Sequence, residues 1–155
     1  MDRFDSAPLP LSPAVGAGEF DAAQLIFYDV DHSGPSFQAF AFLNTPDADI
    51  ETPFEPDAGY AGSFVIFGHG GCVGDEGHCE VPEARKDDFD SRPLHPLTRQ
   101  TRIVNVTEAL KRVCDDKDAD HEHLQVTVLP VMAGKEGPEL SDVLFFSAMR
   151  LVAFD

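Results

Sequence analysis

The chain has 155 residues, 43% of them hydrophobic, enough for one domain with a sizeable core. Lys and Arg number 11 against 28 Asp and Glu, a formal net charge of -17. A surface of that sign repels a phosphate backbone or an anionic membrane, so neither a nucleic-acid nor a membrane partner is expected.

The acids gather in connections such as 47–57, 87–90 and 115–120, where they read as solvated surface, and none follows the ligand order of a calcium loop. The opening Met1-Asp2-Arg3-Phe4-Asp5 lacks the basic and then apolar regions of a secretory leader. No apolar run reaches the length of a membrane span. The cytoplasm is therefore the default location, with export beside a signal-bearing partner left open.

Residues 1–23 carry Pro8, Pro10, Pro13, Gly16 and Gly18, a mixture that sustains neither a long helix nor a central strand. They are expected to form an extended arm, lying along the sandwich or along a partner, with Phe4 and Leu11 as anchors. Residues 24–155 form the domain. Runs rich in Val, Ile, Phe and Tyr predict strands over 25–30, 37–43, 60–67, 101–106, 124–131 and 143–154, punctuated by Pro, Gly, Asn and Asp. Alternation is clearest in Phe37-Gln38-Ala39-Phe40-Ala41-Phe42 and Leu124-Gln125-Val126-Thr127-Val128-Leu129, each placing one set of residues inward and the other outward. Two such sheets cover each other's apolar faces, which predicts an all-β, antiparallel two-sheet sandwich of about six to eight strands. One short helix is expected over 107–113, with Thr107 as its N-cap and Lys111 and Arg112 near its C-terminal end.

The order of several segments resembles the C-terminal domain of tyrosinase-like proteins, the type-3 copper family of tyrosinases, polyphenol oxidases and haemocyanins. Tyr60-Ala61-Gly62-Ser63-Phe64-Val65-Ile66-Phe67-Gly68-His69-Gly70 is similar to its glycine-bounded strand. The run from Thr101 to Leu110 resembles its strand-then-helix step, and the segments Leu124 to Pro130 and Phe145 to Asp155 its final hairpin. Phe40 to Ala48 is similar to the entry strand of the bacterial version. The resemblance implies a sandwich that packs on a copper-bearing catalytic domain or subunit, covers the mouth of its dicopper site and helps its maturation. A loop aromatic such as Phe54, Tyr60 or Phe89 would enter that mouth. The family's copper histidines sit on a helical bundle that this chain lacks, so no catalytic residue is assigned, and the chain alone is not expected to oxidise phenols.

The segment 68–99 is long for a connection. Within it His69, Cys72, His78 and Cys79 lie close together in a glycine-rich stretch. Thiolate and imidazole suit Cu(I) or Zn²⁺, which makes these four the candidate metal ligands and copper the one cofactor to consider. The Cys72 to Cys79 separation is wider than a zinc knuckle, and the same cysteines can form a disulfide worth about 2.5 kcal/mol or remain free thiols. Two rival functions follow: a copper carrier using residues 69–79, and a subunit completing a shared oxidase site. Cys114 reads as a small buried hydrophobe, His32 as part of a turn, His95 as a loop-packing or partner-contacting residue, and His121 and His123 as solvated. No hydrolase elbow, phosphate loop or dinucleotide fingerprint is present.

Overall fold

The computed structural model describes residues 1–69, 87–89, 98–134 and 137–155. In chain order these form β1 (Phe4–Asp5), β2 (Leu9–Pro10), a single helical turn α1 (Pro13–Gly16), β3 (Ala22–Val30) and β4 (Phe37–Leu43). A 3-10 turn (Pro56–Ala58) then leads to β5 (Tyr60–Ile66). After the long connection come β6 (Gln100–Asn105), α2 (Thr107–Asp115), β7 (His123–Leu124), β8 (Val126–Ala133), β9 (Pro138–Leu140) and β10 (Ala148–Phe154).

Every strand pairing is antiparallel. The larger sheet runs β1-β8-β4-β5, with β9 also on β8, and the smaller runs β10-β3-β6; β2 and β7 make a separate pair. The all-β sandwich expected from the sequence is what forms, and its sheets stay open. The strands beyond the expected number are the very short β1, β2, β7 and β9, which alternation cannot reveal.

The core lies between the two sheets. Leu25 and Phe27 of β3 face Ala39 and Ala41 of β4, Ile66 of β5 and Val126 and Val128 of β8, all fully buried. Each such Leu, Ile, Val or Phe contributes about 1.5–3 kcal/mol by leaving water. The Phe27 ring meets Phe64 at 5.0 Å and Phe146 at 5.3 Å, tying the smaller sheet to both the larger sheet and the chain leading into β10. At Gly62, with φ +144°, a Cβ would lie 2.6 Å from Val104 Cγ1, so β6 crosses directly over β5 there and only glycine fits.

Residues 1–11 lie along the sandwich. Ser6 both donates its N–H to the Val126 carbonyl and accepts the Val126 N–H on its hydroxyl, each at 2.9 Å. The buried Thr127 hydroxyl donates to Asp5 at 2.8 Å. Asp5 also accepts from Arg3, and that bond holds its carboxyl below the usual range.

Three expectations differ in detail from what forms. The strand over 124–131 is cut at Gln125, whose N–H is taken by the Asn44 side chain at 2.9 Å, with Asn44 itself in left-handed backbone at φ 51°. The strand over 143–154 begins only at Ala148, because Leu144 turns inward to full burial. Thr107 opens α2 without capping it: its N–H and hydroxyl both donate to the Asn105 side chain, and its hydroxyl also accepts the Ala23 N–H at 2.9 Å.

Candidate functional site

Two places gather chemistry-bearing side chains. The first is the base of the long connection. His32 follows β3 and is 7% exposed, so it is a buried group rather than the open turn expected from Ser33-Gly34-Pro35. Its Nε2–H donates to the Thr98 carbonyl at 2.7 Å. The Gln100 amide donates to its Nδ1 at 3.3 Å, and Arg102 in turn donates to the Gln100 carbonyl oxygen. Both ring nitrogens of His32 are thus taken by hydrogen-bond partners, and neither is left for a metal.

His69 sits beside it. Its backbone N–H donates to the His32 carbonyl at 3.0 Å, and the two rings meet edge to face at 5.0 Å. His32 therefore ties residue 69 and residue 98 to the end of β3, clamping both ends of the connection. His69 itself is exposed. The other candidate ligands, Cys72, His78 and Cys79, lie outside the described residues, as does His95.

Among the described residues no three of His, Cys, Asp and Glu come together as a metal site. The histidines that are described do not assemble a dicopper centre: His32 is saturated, His121 bonds the Asp116 carbonyl at 2.8 Å, and His123 bonds Asp120 at 3.2 Å. The Cys114 thiol is half-buried against the core and donates to the Val15 carbonyl at 3.1 Å, and burial pushes its pKa up, away from thiolate chemistry. Asp31 is held below the usual carboxylate range by the backbone and hydroxyl donors of Ser33, with Arg99 at 3.7 Å adding to it.

The second place is the outer face of the larger sheet. On β4, Phe37, Ala39, Ala41 and Leu43 point into the core while Phe40 and Phe42 point away. That outward set is not solvated. Phe42 is fully buried in a second cluster with Leu129 and Ala48, covered by the connection 44–59. The connection is pinned at its end by Gly59, whose φ of +80° and close approach to Thr45 exclude a side chain. Phe54 lies on this face, stacked on Phe40 at 4.0 Å with rings 9° from parallel, and Tyr60 meets Phe42 edge to face at 5.8 Å. Two of the three aromatics singled out in the sequence, Phe54 and Tyr60, thus belong to one patch. Phe89 is 95% exposed and contacts none of it. An apolar groove of about 550 Å³ runs beside the patch.

No family model matches the chain, and no curated protein matches it in sequence. Its structure does have likenesses among solved ones. A latent aurone synthase, a polyphenol oxidase from natural source, superposes with a TM-score of 0.52 over 98% of this chain at 17% identity. The fold is shared with a polyphenol oxidase. The chain spans only 24% of that structure's length. The recombinantly expressed latent aurone synthase is similar over 99% of this chain and 24% of its own, with 17% identity and a TM-score of 0.47. At such identity the likeness is one of fold, and fold alone carries no chemistry. Among the described residues no helix is long and apolar enough to cross a membrane.

Proposed function

We propose that residues 24–155 are a non-catalytic accessory domain of a tyrosinase-like type-3 copper phenol oxidase, with residues 1–23 as an arm laid along it. The observation that carries this reading is the fold likeness, which takes in nearly all of this chain and only a quarter of the polyphenol oxidase. A part so placed has the rest of the oxidase as its natural neighbour. The dicopper centre would belong to that neighbour, because the family's copper histidines sit on a helical bundle and α2 is the one helix longer than a single turn among the described residues here.

The role of the domain is to pack on the copper-bearing domain, cover the mouth of its site and support its maturation. The outer face of the larger sheet supplies apolar area suited to such packing, with Phe54 46% exposed and Val65 43% exposed. Large apolar side chains left open together are the usual mark of a surface that meets another.

The test is to mix this chain with a purified tyrosinase-like copper domain from the same organism. Complex mass is read by light scattering and turnover by diphenol oxidation. A one-to-one complex with turnover reduced about tenfold or more is the expected result, corresponding to roughly 1.4 kcal/mol of extra barrier. Two chains that stay separate at micromolar concentration would remove the reading.

A further inference from the structure

We draw no further inference here: the strongest candidate, the apolar groove beside Phe40 and Phe54 on the outer face of the larger sheet, is an unpartnered surface, and nothing in the structure shows what covers it.

Discussion

The two sheets of this sandwich treat their outer faces differently. The smaller sheet shows Ile103 at 55% exposure and Phe154 at 44%, with Arg150 reaching over the Tyr28 ring at 5.8 Å, and no chain folds over that side among the described residues. The larger sheet instead buries Phe42 and Leu129 completely under the connection 44–59 and leaves a groove where that cover stops. A face half covered by its own chain is a second, small core with an open edge. A bare face with one cation and a few scattered apolar residues is ordinary surface. The difference gives the larger sheet the apolar surface on which the proposed packing rests.

If that contrast is correct, truncating the two faces has very different costs. Phe42→Ala removes a fully buried ring and is expected to lower unfolding free energy by about 3–5 kcal/mol, against under about 1 kcal/mol for Ile103→Ala, both read by urea denaturation. Equal costs would mean that the outer cluster is not a core. A smaller effect is expected at the pin of the covering connection. Gly59→Ala forces a side chain into left-handed backbone and against Thr45, and should cost about 1–3 kcal/mol. It should also raise hydrogen exchange over 44–58 more than in β3. An unchanged exchange pattern there would show that Gly59 does not hold the cover.

The smallest effect concerns the arm beside that face. Asp5 is held below the usual carboxylate range by Arg3 and Thr127, so the unfolded chain takes up its proton at higher pH than the native one. Its contribution is complete above the ordinary carboxylate range and is lost as pH falls through the lower native value. Asp5→Asn should therefore flatten the acid limb of stability below about pH 4, by under about 1 kcal/mol because the side chain is 39% exposed. An unaltered limb would mean that this contact does not fasten the arm.

Much of the fold was legible because strands announce themselves by alternation. Phe37 to Leu43 is bounded in the structure as it was in the sequence. What stayed hidden depends on residues far apart. The break at Gln125 is made by Asn44, and the burial of His32 is made by Thr98 and Gln100, neither of which its own turn sequence can announce. The second core was half legible. In Phe37-Gln38-Ala39-Phe40-Ala41-Phe42 the alanines point inward and two phenylalanines outward, an arrangement that a sheet with one solvated face would not use. Of the candidate metal ligands, His69 alone falls among the described residues, so the chemistry of 69–79 rests on residue type.

The pairing of the smaller sheet also bears on how the chain comes to fold. β3 takes its hydrogen bonds from β6 on one side and from β10 on the other, with Ala22 opposite Phe154. The strand carrying Leu25 and Phe27 precedes both of its partners, and β10 lies far from it along the chain. Such distant partners favour slow closure and leave an apolar strand unpaired on the ribosome. Without β10 the strand β3 would be an open edge ready to pair with another chain, so β10 acts as the latch that closes this side of β3.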